Sequence, residues 1–270
     1  MSGGDRPASV SLRRIAWRHG ARSEGVREVP EETPVALVYD ASTYAVMMAT
    51  PADLEDFAVG FSLTEGVIDA PSDLKGLEIV EQPLGVEVRA WLAPERSARL
   101  AERRRMMAGP TGCGLCGVDS LEQAVRRWPP VGGGETRISP DEIRAAMAAL
   151  SAAQTLGATT RAAHAAGYWR AGQGLVAARE DVGRHNALDK LIGALARAGE
   201  RGDDGVVLLT SRVSIEMVQK TARLGAPILI AVSAPTALAV RTAEEAGITL
   251  IAVAREDGFE VFTHADRVHG

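Results

Sequence analysis

Cysteine is nearly absent: the 270-residue chain holds only Cys113 and Cys116. Two thiols exclude the disulfide framework that staples small secreted domains, although their close spacing leaves chemistry open. A surplus of basic charge is also missing. The 30 basic residues include only three lysines, Lys75, Lys190 and Lys220, and the net charge is −5. A sequence-independent nucleic-acid binder needs a basic balance or stripe, and only the local cluster Arg103, Arg104 and Arg105 offers one. No apolar run approaches the ~20 residues of a membrane span. The pair Arg13-Arg14 is followed by Ile15-Ala16-Trp17-Arg18-His19-Gly20, not by the apolar stretch of an export signal. These absences predict a cytoplasmic protein with reduced thiols and with no nucleic-acid or membrane partner.

Hydrophobic residues make up 46% of the chain, enough to build a core. Residues 1–30 read as a flexible tail or an edge strand. Val35–Tyr39 with Tyr44–Ala49, and Leu77–Val80 with Val86–Trp91, read as hairpins, and Thr50-Pro51 as the start of a helix. These elements give a smaller α+β domain over 31–107. Pro94–Arg105 reads as a linker or surface helix. A second, α/β domain over 108–270 opens on a glycine-rich loop. Helices are expected after Ser120 and after Ser139-Pro140. Val206–Leu209, Pro227–Val232 and Ile248–Ala254 are short apolar strands. They alternate with helices over Ser214–Leu224 and Thr236–Ala246, the pattern of a parallel sheet buried on both faces. Asp257-Gly258 then turns the chain into an antiparallel final strand, Phe259–Thr263.

Three segments carry candidate chemistry. In Thr111-Gly112-Cys113-Gly114-Leu115-Cys116-Gly117, glycines give access to two thiols, and a following helix N-terminus favours a thiolate. The pair suits a redox couple, half of a zinc site completed by His164 and His185, or a mobile thiol that receives and passes a sulfur atom; spacing alone does not choose. In Glu180-Asp181-Val182-Gly183-Arg184-His185-Asn186, a charged cluster precedes a helix with Asn186 as its expected N-cap, a placement that suits a polar site. The third segment, Thr210 to Lys220, follows a buried strand, and Ser233-Ala234-Pro235-Thr236 follows the next. Ligands in open α/β sheets bind beyond the carboxyl ends of strands, and helix N-termini attract anions. Ser211, Arg212, Ser233 and Thr236 are therefore candidates to hold a nucleotide phosphate, against plain helix capping by Ser214 and Thr236. His164, among alanines, reads as a packed histidine.

The chain resembles the formate dehydrogenase accessory sulfurtransferases, a family of sulfur carriers. The resemblance rests on Met47–Asp56, Gly60–Gly66, Thr111–Gly117, Glu180–Ala187 with Asp189-Lys190, Ser214 with Glu216–Lys220, and Val232–Thr236, in the family's order. It implies a cytidine-deaminase-like α/β core and a homodimer. It implies transfer of persulfide sulfur from a cysteine desulfurase to the molybdenum bis(molybdopterin guanine dinucleotide) cofactor of formate dehydrogenase. Cys113 falls on the family's persulfide carrier and Cys116 on its second cysteine. The cofactor-binding stretch falls on Val253, Ala254, Arg255, Glu256, Asp257 and Gly258, with Ser211, Arg212, Ser233, Thr236 and His185 beside it. Two departures stand out. Thr160-Arg161-Ala162 replaces a Thr-Gly-Gly run before His164, and Arg255–Gly258 departs from a glycine- or lysine-rich version. No resident metal is implied. A chaperone that binds the cofactor without transferring sulfur is one alternative. A zinc-dependent deaminase-like hydrolase is the other, but it needs H-x-E and P-C-x-x-C, and Gly112 stands where that proline belongs.

Overall fold

The computed structural model describes residues 6–107, 129–132 and 136–270. Cys113, Cys116, the helix expected after Ser120 and the domain boundary near Ala108 lie outside them.

The first element is a projecting ribbon. Strands β1 (Ser9–Arg18) and β2 (Ala21–Pro30) pair antiparallel from Ser9↔Pro30 to Arg18↔Ala21. His19 and Gly20, at φ 51° and 79°, turn the chain between them, as a two-residue hairpin loop requires. Of the two readings of this segment, tail or edge strand, the strand holds for residues 9–30, although β1 and β2 pair with each other and not at the edge of a larger sheet. The pattern was hard to read because the ribbon leaves its apolar side chains in solvent, which blurs the alternation that marks a half-buried strand.

A four-stranded sheet follows in the order β4-β3-β6-β5, built from β3 (Thr33–Tyr39), β4 (Ser42–Ala49), β5 (Leu74–Gln82) and β6 (Gly85–Leu92). Its inner side chains Val35, Leu37, Val86 and Val88 pack on Leu54, Phe57, Ala58 and Phe61 of α1 (Leu54–Thr64). Helix α2 (Pro94–Met107) comes next. The charged stretch there is helical.

The second sheet has six strands in the order β12-β11-β10-β9-β7-β8. Strands β9 (Val206–Leu209), β10 (Ile228–Ala231) and β11 (Thr249–Arg255) are parallel. β7 (His164–Arg170) joins β9 antiparallel, β8 (Gly174–Asp181) joins β7, and β12 (Gly258–Val261) closes the other edge antiparallel to β11. One face carries α5 (Arg184–Arg197), α6 (Ile215–Leu224) and α7 (Ala237–Glu245), whose Leu188, Leu191, Met217, Val218 and Ala239 meet Val207, Leu209 and Leu229. The other carries α3 (Pro140–Ala153), with Ile143 and Leu150 on Val206, Leu208, Ile228 and Ile230. Alternate residues of the same strands thus fill two cores, and this is why the strands read as continuous apolar runs. The chain breaks at Gln154 into a short α4 (Thr155–Thr160).

The two sheets are fastened where α1 crosses α5. A Cβ on Gly60 would lie 1.7 Å from the Asp189 carbonyl oxygen, and one on Gly193 would lie 1.8 Å from that of Asp56. Only glycine permits this approach. Polar contacts complete the seam. Lys190 Nζ, fully buried, sits 2.6 Å from Asp181 and donates to the Thr50 carbonyl at 2.9 Å. Asp181 also accepts the Thr50 N–H, and Asn186 donates to the Met48 carbonyl. Lys220 bonds Asp189 at 2.7 Å and Thr64 at 2.9 Å, while Arg179 and Arg197 clamp Asp56. Two helix starts differ from expectation for this reason. Thr50 is tied to Asp181, Val182 and Lys190, so α1 begins only after Asp53, at φ 53°. Asn186 spends its amide across the seam, and α5 begins at Arg184 with Gly183 as N-cap.

Candidate functional site

The site forms along the carboxyl edge of the parallel strands, and backbone bonds lace its loops together. Val232 N–H donates to Leu209 O, Val213 N–H to Ala234 O, Thr236 N–H to Val213 O, and Val253 N–H to Ser233 O. These bonds set Ser211, Arg212, Ser233, Thr236 and Val253 side by side. β7 runs against β9, so it begins at the same edge. Thr210 N–H donates to Ala165 O, and Ala165 N–H donates to Thr210 Oγ1 at 2.9 Å. β8 ends there as well, with Asp181 opposite His164. The first turn of α5 therefore brings Arg184 and His185 to the edge.

The polar groups do unequal work. Ser211 is buried and donates its hydroxyl to Arg212 O at 3.0 Å, while the Arg212 side chain is exposed. Thr236 caps α7 by accepting the Ala239 N–H at 3.2 Å, so its capping role is real. Ser214 caps through no side-chain bond and donates instead to Glu216 at 2.8 Å. His185 Nε2 lies 3.7 Å from Glu216. Burial holds the His185 imidazole down to about 4, with Glu216 opposing and Arg184, Lys220 and His164 assisting. His164 is lowered too, first by burial and then by Arg184. Both rings are consequently neutral at pH 7, when they can accept as well as donate. Arg184 Nε is buried and has no hydrogen-bond partner among the described residues. An unpaired guanidinium donor is costly, and this one stands at a helix N-terminus, near enough for its charge to act on both His164 and His185, a setting that favours an anionic group.

Val253 is the strained point. It takes φ 52°, where a β-branched side chain is a genuine outlier, at a register shift between Ala252 and Arg255. Beyond it Arg255, Glu256 and Asp257 form the exposed tip of the β11–β12 turn, with Gly258 opposite Arg255 and Ala254 buried beneath. No described hydrogen bond or ion pair joins Arg255, Glu256 or Asp257 to Ser211 or Arg212; they share only the edge. Arg161, on the far side of His164, adopts φ 59° as the C-cap of α4. The left-handed turn that a glycine would make freely is kept, by an arginine.

His164 and Arg184 are the residues that segment-by-segment reading undervalued. The first reads as a core histidine because β7 is alanine-rich and gives no strand signal. The second is one charge among several in a cluster. Half of that cluster has other work: Glu180 accepts the Leu156 and Gly157 N–H groups of α4, and Asp181 is the buried partner of Lys190.

Known proteins resemble this chain over nearly its whole length. A profile of the FdhD/NarQ family matches residues 30–269. The sulfur carrier protein FdhD of Agrobacterium fabrum is 55% identical over 255 residues, 94% of each chain. That of Brucella abortus is 52% identical over 96% of this chain and 97% of its own. A crystal structure assigned as a formate dehydrogenase accessory protein, from Desulfotalea psychrophila, superposes with a TM-score of 0.77 at 27% identity, covering 97% of this chain and all of the other. The chain belongs to the FdhD/NarQ family.

Proposed function

We propose that this protein is a sulfur carrier needed for formate dehydrogenase activity, and that it works through a persulfide on Cys113. Family membership over residues 30–269 carries the sulfur-carrier reading. The carboxyl edge supports the acceptor, a nucleotide-bearing molybdenum cofactor. Arg184, Arg212, the helix N-termini of α5 and α6, and the backbone around Ser233 and Val253 can receive phosphates there. Arg255–Gly258 would act through its backbone at the turn.

The chemistry balances with thiols alone. Cys113 thiolate attacks the outer sulfur of a persulfide on a cysteine desulfurase, releasing the donor thiolate and leaving Cys113-S-SH. Cys116 thiolate then attacks the inner sulfur of that persulfide, forms a disulfide with Cys113 and releases hydrosulfide to the cofactor metal. The two electrons come from the thiol pair, which a cellular dithiol restores. A cytoplasmic location keeps the thiols reduced. Three parallel strands covered by helices are compatible with a cytidine-deaminase-like core, and the working assembly is a homodimer.

Mass spectrometry after incubation with a desulfurase and cysteine should find added sulfur on Cys113. An adduct at full level in Cys113→Ala overturns the assignment. Restoration of formate dehydrogenase in cells by the double variant Cys113→Ala/Cys116→Ala would make the protein a cofactor chaperone instead.

A further inference from the structure

We propose that the β1–β2 ribbon is a dimerisation arm that seats on the outer face of the four-stranded sheet of a second copy of this chain. The inference rests on the homodimer of the proposed function, not on its sulfur chemistry.

The ribbon is amphipathic in an unusual sense. Its pairing puts Arg13 opposite Val26, Ile15 opposite Glu24 and Trp17 opposite Arg22, all on one face. Val26, Ile15 and Trp17 form a diagonal stripe along that face, and they are 68%, 57% and 70% exposed. The opposite face turns to the body, where Arg27 donates to the Thr160 carbonyl at 3.0 Å. An isolated two-stranded ribbon is marginal in water, and this one leaves its largest apolar side chains uncovered.

Charge selects the occupant. Residues 9–30 carry five arginines and two glutamates, net +3, within a chain of net −5, so the rest of the molecule carries −8. Two ribbons stacked on each other would repel. A ribbon laid on the body of another copy is attracted. The body offers a matching apolar surface on the outer face of the four-stranded sheet. Val46 and Met48 project there, 59% and 47% exposed, next to Ala36 and Pro34. Glu87 there is paired with Arg89 at 2.7 Å, and Glu78 leaves the seat one net negative charge. The arm springs from β3 of that same sheet through Glu31-Glu32, so an exchange of arms between two copies is reciprocal and closed. Each dimer then has two seats, each combining aromatic and arginine side chains of the kind that dominate interface energy.

The test is the mass of the full-length protein in solution, by light scattering at micromolar concentration. Wild type is expected at twice the 28.5 kDa chain mass. Trp17→Glu on the arm and Val46→Glu on the seat are each expected to weaken dimerisation by about 30-fold or more. Raised salt should weaken the wild-type dimer. Both sites are exposed, so an unchanged circular dichroism spectrum will show that folding is intact, while any fall in Tm should match that of wild type diluted to monomer. A monomeric wild type overturns the proposal, as does a dimer that survives either substitution, since reciprocal seating needs both surfaces. Sulfur loading of Cys113, measured in the same samples, separates this outcome from the fate of the carrier function.

Discussion

The α1–α5 seam and the carboxyl edge are both rich in charged and hydrogen-bonding residues, yet they solve opposite problems. In the seam every charge is spent. Lys190 meets Asp181, Lys220 meets Asp189, and Asp56 takes two arginines, the three carboxylates all buried and set around glycines that bring backbones into contact. At the edge, Arg184 keeps a free donor, two histidines stay neutral and Val253 holds a strained backbone. A satisfied polar network gives rigidity. A partly satisfied one on a rigid frame is ready for a ligand. Most of the motifs that make the family recognisable lie in the first region, which holds the second in place.

Substitutions can break this contrast, and the seam should respond most. Lys190→Met strands the buried Asp181 charge and should cost about 3–5 kcal/mol, enough to appear as poor expression or a large fall in melting temperature. Stability near wild type would show that the pair is not the fastener described. Gly60→Ala drives a methyl into the Asp189 carbonyl. It should cost about 3 kcal/mol, or roughly 6–12 °C in Tm; a loss below a degree would mean that the helices separate freely.

The edge should respond to pH instead. A free imidazole takes up a proton near pH 6.5, whereas His185 in the fold resists down to about 4. Between those values the unfolded chain binds more protons, so the stability present above about pH 6.5 is lost as the pH falls towards 4. His185→Gln should flatten part of that slope in thermal melts, with His164 supplying the remainder. An unaltered slope would remove His185 from the account. The smallest effect is a gain. Arg161→Gly relieves a left-handed arginine and should raise stability by up to about 1 kcal/mol, visible as a small rise in Tm with sulfur loading unchanged.

Much of the fold was legible locally. The apolar runs 206–209, 228–231 and 249–255 alternate with helices closed by glycine, and Gly225 takes the left-handed C-cap expected of it. Strands β7 and β8 were not legible. Alanines, glycines and charges dominate them, and only pairing with β9 makes them strands. The place of His164 at the edge follows from the antiparallel insertion of β7, which no local pattern of residues signals.

By itself, the sequence determined the order of strands and helices, the family, and the pairing of Cys113 with Cys116 in a glycine-rich stretch. Those are properties of neighbours along the chain, written in periodicity, turn residues and spacing. Tertiary structure alone decided that Lys190 is a buried fastener, that Gly60 and Gly193 mark a helix crossing, that Thr236 spends its hydroxyl on a cap, and that Arg184 does not spend its Nε. Each depends on what a distant segment places within a few ångströms, and burial there changes the work a polar side chain can do.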